Sequence, residues 1–240
     1  MPLTFSANNI LQFYTFISPI FISSFLLLKS TMDYNIRGVI YLVGLLVNYI
    51  TGMGIKSIFH NYDSTAISQG RKGQFQRTPV RKNWPINPGQ TANSIPDYCS
   101  IFEGPWYNNT LTSTSMPSMN AMFHAFTFAY ILMGISDNPN HPGIPFIIIL
   151  GITAILNMFY RQRLYCDKMV DIVVGIVLGA IIGLVWYFII KSWNPSYIYY
   201  GKDDGFSWSD RSDVLWFALE SVFLIIFIVQ AGSPIQRFDV

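Results

Sequence analysis

Apolar positions along the chain gather into six runs, at about 10–28, 38–59, 118–135, 146–160, 170–190 and 212–230. Most of them approach the roughly 20 residues a helix needs to cross hydrocarbon. The pattern predicts an all-α integral membrane protein, multi-pass, folded as a single membrane domain over 1–240. Six transmembrane helices are expected. The polar link from Ser30 to Arg37 is short, so the first two helices should be antiparallel neighbours. Met116-Pro117-Ser118 is a helix-start signal for the third. The proline-, asparagine- and glycine-rich link at 136–145 is a turn.

Two polar stretches break the rhythm. Residues 60–117 form a long extramembrane loop between helices 2 and 3, rich in Pro, Asn, Ser and Thr. A connection of that length in a compact protein is functional or disordered. Within it, Arg71, Lys72, Arg77, Arg81 and Lys82 form a basic cluster, and Trp84, Tyr98, Phe102, Trp106 and Tyr107 suit packing at a membrane interface. The other stretch is 160–171, a charged loop squeezed between two apolar runs. Its last carboxylate, Asp171, falls where the next helix has already begun, and an acid there demands a partner. Just beyond, Gly175, Gly179 and Gly183 make a stripe with a spacing of four that lets another helix pack closely.

Composition supports the membrane assignment. The chain is 51% hydrophobic and 12% charged, about half the charged share usual in soluble domains, and its mean hydropathy is +0.35. A net charge of +2 argues against a nucleic-acid partner. The N-terminus has neither a basic leader region nor a small-residue cleavage site, so the first run is expected to be retained. With six helices, ten of the 15 Lys and Arg fall on the face of the long loop and five on the other. The positive-inside rule then puts that loop in the cytoplasm. The two cysteines, Cys99 and Cys166, lie in loops on that same face and can be bridged in an oxidising compartment. Asn108-Asn109-Thr110 there is a glycosylation sequon, useful only in a lumen. Orientation stays open.

The segment around the charged loop resembles the type 2 phosphatidic acid phosphatase superfamily. Its third signature is an arginine, five residues, a histidine, three residues and an aspartate; here Arg161, Asp167 and Asp171 hold that spacing. Its second, Pro-Ser-x-His, is echoed by Pro117-Ser118-Met119-Asn120, and Met116 before it is most similar to the dolichyl-diphosphatase branch. Its first, a lysine, six residues and Arg-Pro, is matched by Lys56, with Asp63-Ser64 in place of Arg-Pro. The likeness spans about 47–183.

The resemblance implies a lipid-phosphatase-like bundle that needs no metal or cofactor. In the family, one histidine attacks phosphorus, another protonates the leaving oxygen, and Lys and Arg hold the phosphate. Carried over, Lys56, Ser118, Arg161 and Asp171 survive, while Asp167 and Asn120 replace the histidines. An amide delivers no proton, and a carboxylate repels phosphate. The expectation is a pseudoenzyme in which Asn120, Asp167 and Asp171 are vestigial. Lys56, Ser118, Arg161, Arg163 and Lys168 would form a phosphate or lipid head-group site, or simply flank helix ends. His124, one turn beyond Asn120, is either a core histidine or a substitute acid or metal ligand. His60 and His141 lie in loops, and Glu220 is set inside the sixth helix.

Two functions are therefore weighed. One is a structural or head-group-binding subunit of a membrane assembly or membrane-containing virus particle, sited in an organelle or inner virion membrane. It would touch membrane lipids, and protein partners through 60–117. The other is an active lipid phosphate or polyprenyl diphosphate phosphatase using an atypical acid pair. Transport finds little support, since buried charges are few.

Overall fold

The computed structural model describes residues 7–69, 114–140, 143–164 and 166–201. They form five long helices: α1 (Ala7–Met32), α2 (Arg37–Ser68), α3 (Met119–Asp137), α4 (Ile144–Arg163) and α5 (Met169–Trp193). A 3-10 turn, Pro195–Tyr197, follows. All five are long and apolar enough to cross a membrane, an architecture compatible with a multi-pass membrane protein. The sixth expected span, at about 212–230, lies outside the described residues, as do the basic and aromatic clusters of the long loop, Cys99, His141 and Glu220.

Two boundaries need correction. Helix α2 does not stop at 59; it runs to Ser68. At 32 residues and 1.5 Å per residue it is about 48 Å long, against about 30 Å of hydrocarbon. Hydropathy reports where the chain leaves the apolar layer, and the helix simply continues past it. Ser64 and Thr65 hydroxyls bond carbonyls one turn back, both at 2.9 Å. The 60–117 loop thus opens as helix, and its last residues, Thr114–Pro117, pack against the bundle. Likewise α4 carries Arg161 and Arg163 in its final turn, so the charged loop shrinks to a turn at 164–168.

The helices turn apolar residues outward and keep their small and polar residues inside, beside a buried aromatic core. Along α2 the inward stripe is Gly38, Tyr41, Gly44, Asn48, Gly52, Lys56 and Asp63, while Val39, Val43, Leu46, Val47, Ile50 and Ile58 face out. Helix α5 does the same, with Val173, Val177, Ile181 and Val185 outward and Gly175, Gly179 and Gly183 inward. In a bilayer, lipid tails would solvate the outer face, and association would rest on close packing and internal hydrogen bonds. A Cβ on Gly175 or Gly183 would lie 2.6 Å from the carbonyl oxygen of Ser118 or Phe126, and one on Gly179 would overlap that of Met122. The three glycines are what let α5 lie backbone to backbone along α3.

Down its long axis the bundle divides in two. One half is aromatic: Phe25, Tyr41, Phe126, Tyr130, Phe146, Tyr187, Tyr199 and Tyr200 are buried in one core. The other half buries Thr15, Ser18, Asn48, Lys56, Asp63, Ser118, Asn120, His124, Asn157, Arg161, Asp167 and Asp171. Each helix contributes aromatic or aliphatic residues at one end and polar residues at the other. Because neighbours run antiparallel, the polar ends coincide at the start of α3.

Candidate functional site

At the polar end three elements meet on one carboxylate. Arg161, in the last turn of α4, puts its Nε 2.6 Å from Asp167 Oδ2, with the two side chains 3% and 0% exposed. Ser118, the N-cap of α3, donates its hydroxyl to the same Oδ2 at 2.7 Å. The turn that brings Asp167 back is short because Cys166 N–H bonds the carbonyl of Arg161 at 2.9 Å. Ser118 has the extended backbone of an N-cap, and its oxygen accepts from Ala121 N–H. Ser118 N–H in turn donates to the Asp171 carbonyl at 3.1 Å. One serine therefore starts α3 and ties it to the α4–α5 turn.

Asp171, the acid that stood too close to a membrane helix, has its partners. Its Oδ2 accepts the backbone N–H of Lys168, the residue preceding α5, at 3.0 Å. The hydroxyl of Ser115 bonds it too. A carboxylate in the first helical turn satisfies a free N–H and sits at the positive end of the dipole. Its position follows from capping α5, with no catalytic task required.

The extension of α2 supplies the next wall. Gly52 faces Met119 and Met122, and His60 Nδ1 lies 3.2 Å from Thr114 Oγ1. Lys56, between them on the same helical face, is thereby turned toward the start of α3, and both it and Asp63 are buried. His60 is a helical residue, not a loop one. Asp63 had no site role in the sequence reading. The signal was present: Lys56, His60 and Asp63 recur at i, i+4 and i+7, one face of a continuing helix.

A second network joins α1, α3 and α4. Pro19 sits inside α1 and has no N–H for the carbonyl of Thr15. That oxygen instead accepts Asn157 Nδ2 of α4 at 2.5 Å and Ser18 Oγ at 2.7 Å. Ser18 Oγ is also 3.2 Å from His124 Nε2. His124 is a core histidine bonded to a neighbouring helix. Asn120, one turn earlier on α3, is buried, with neither amide atom hydrogen-bonded among the described residues.

Of the expected anion set, the structure brings together Ser118 and Arg161 and turns Lys56 toward the same end. It leaves Arg163 exposed and Lys168 half-exposed. The correction has a helical cause: two residues on from the inward Arg161, Arg163 is about 200° round the helix. The buried charges of the described cluster are two basic, Lys56 and Arg161, and three acidic, Asp63, Asp167 and Asp171. Among the described residues no three His, Cys, Asp or Glu side chains are grouped as a metal ion requires. Cys166, next to Asp167, is disulfide-bonded.

No family model, no curated protein and no solved structure matches this chain.

Proposed function

We propose that the protein is a non-catalytic, lipid-phosphatase-like membrane protein serving as a structural subunit of a membrane assembly, organellar or virion. The observation that carries this reading is the shared Asp167 Oδ2, held at once by Arg161 and Ser118 in a buried setting. In a phosphate-transfer site those donors would be offered to an incoming phosphate. Here the chain supplies its own anion to them. Asp63, buried near Lys56, and Asp171 add further negative charge where phosphate would have to come. Asn120 holds no proton to give a leaving group. What survives of the resemblance is an architecture in which the polar residues fasten α3, α4 and α5 to one another. Contacts with partner proteins fall to the stretch between α2 and α3.

The test is turnover by full-length protein purified in lipid-containing micelles. Phosphatidic acid and a polyprenyl diphosphate are the substrates, with Asp167→Ala and Asp171→Ala as controls. Phosphate release no faster than in those variants is expected. Turnover that both substitutions abolish would show a working enzyme with an atypical acid pair and overturn the proposal. Mild-detergent extraction from native membranes should recover a complex of fixed stoichiometry; a lone monomer counts against the subunit role.

A further inference from the structure

We infer that the polar end of the bundle faces an oxidising, extracytoplasmic compartment. The inference is independent of whether the site is catalytic.

The elements at that end are fixed by contacts already described. The far end of α2 reaches Thr114 through His60. The start of α3 reaches the α4–α5 turn through Ser118 and Asp167. Whatever path residues 70–113 take, they leave and re-enter at the end that carries Cys166. Cys166 is buried and disulfide-bonded, and the chain contains two cysteines, the other being Cys99 within that stretch. Forming the bond removes two electrons and two protons from the two thiols. An oxidised dithiol carrier accepts both by thiol–disulfide exchange: its own disulfide opens to two thiols as the protein's closes. Such carriers are kept oxidised in lumenal, periplasmic and extracellular spaces, whereas cytosolic thiols are held reduced.

Sequence features at the same end agree. Asn108-Asn109-Thr110 lies in that stretch and is an acceptor only on the lumenal side. The charge bias that pointed the other way does not hold up. Of the ten Lys and Arg assigned to this face, Arg71, Lys72, Arg77, Arg81 and Lys82 all come from one long stretch. Without them the two faces tie at five each. Arg161, moreover, is neutralised by Asp167. Charge bias is a rule about short flanking loops, whereas paired cysteines suit an oxidising compartment whatever the loop length.

The experiment uses the full chain inserted into sealed microsomes with their cytosolic face outward. Free thiols are trapped with N-ethylmaleimide before lysis, and the denatured protein is treated with a polyethylene-glycol maleimide. No mass shift is expected until reduction, and two additions after it; no addition even after reduction, the mark of thiols that were free and blocked at the outset, would overturn the inference. Sidedness is read on the wild type, so that no variant has to fold. A membrane-impermeant phosphine should leave the disulfide intact in sealed vesicles and reduce it once detergent opens them. Reduction in sealed vesicles would place the bond on the cytosolic side and refute the assignment. Cys166→Ser gives a further readout. Its remaining thiol should be shielded from an impermeant maleimide until the membrane is opened, and labelling of sealed vesicles would again refute it.

Discussion

Replacing Asp167 by alanine should do far more harm than replacing the whole ion pair by apolar residues. Asp167 and Arg161 are both almost fully out of solvent. Asp167→Ala would therefore strand a guanidinium in a low-dielectric interior and leave the Ser118 hydroxyl without its acceptor. Breaking a buried pair from one side costs about 3–5 kcal/mol, since the surviving charge has lost the carboxylate that offset its desolvation. In a chain of this size about 2–4 °C of melting temperature goes with each kcal/mol. A fall of roughly 6–20 °C follows from those two figures. Asp167→Asn keeps acceptors for Arg161 and Ser118 but removes the charge, so it should fall between wild type and alanine. The double variant Arg161→Met with Asp167→Leu removes both charges and refills the space. Such replacements are commonly neutral or stabilising by about 1–4 kcal/mol, so it should melt at or above the wild type. The assay is intrinsic tryptophan fluorescence on heating in one detergent, checked by a denaturant titration. An alanine variant within about 2 °C of wild type would refute the reasoning. So would a double variant whose loss equals the sum of the two single losses, because uncoupled residues add.

Two further outcomes test other parts of the bundle. Gly179→Ala should destabilise by about 1–3 kcal/mol, because the added methyl meets the Met122 backbone, which has no rotamer to give; Gly54→Ala, with nothing within 4 Å of its added carbon, should be neutral or gain up to about 1 kcal/mol. Equal melting temperatures for the pair would sink the close-packing account of α3 and α5. Asn120→Leu should raise stability, since each buried polar atom without a partner costs about 1–3 kcal/mol; a lowered melting temperature would mean that the amide is bonded after all.

The five described spans were visible in the sequence because lipid-facing apolar residues dominate hydropathy. The same physics hid the rest. Helix α2 looked finished where its outward residues ceased to be apolar, although its inward stripe of Lys56, His60 and Asp63 kept helical phase. Asp63 was taken only as a mismatch to a motif, and burial of an acid is not visible in residue order. Arg161, Ser118 and Asp167 could be named from spacing. That Asp167 would occupy the donors rather than leave them open required the length of the 164–168 turn. Arg163 is close to Arg161 in sequence, but helical phase turns its side chain about 200° away, and Lys168 belongs to a different element, at the head of α5. Pro19 was unremarked, yet the carbonyl it frees at Thr15 is where Asn157 docks.

The chain after α5 settles how the two halves of the bundle relate. Ile198, Tyr199 and Tyr200 are buried among the aromatic residues of α1, α3 and α4, the Tyr199 hydroxyl bonds the Leu26 carbonyl, and Asn138 Nδ2 holds the Gly201 carbonyl at 2.9 Å. Below that stopper, Tyr41 and Thr127 close across the interior at 2.7 Å. Among the described helices the packed aromatic half therefore closes over the polar cluster on the side away from Cys166.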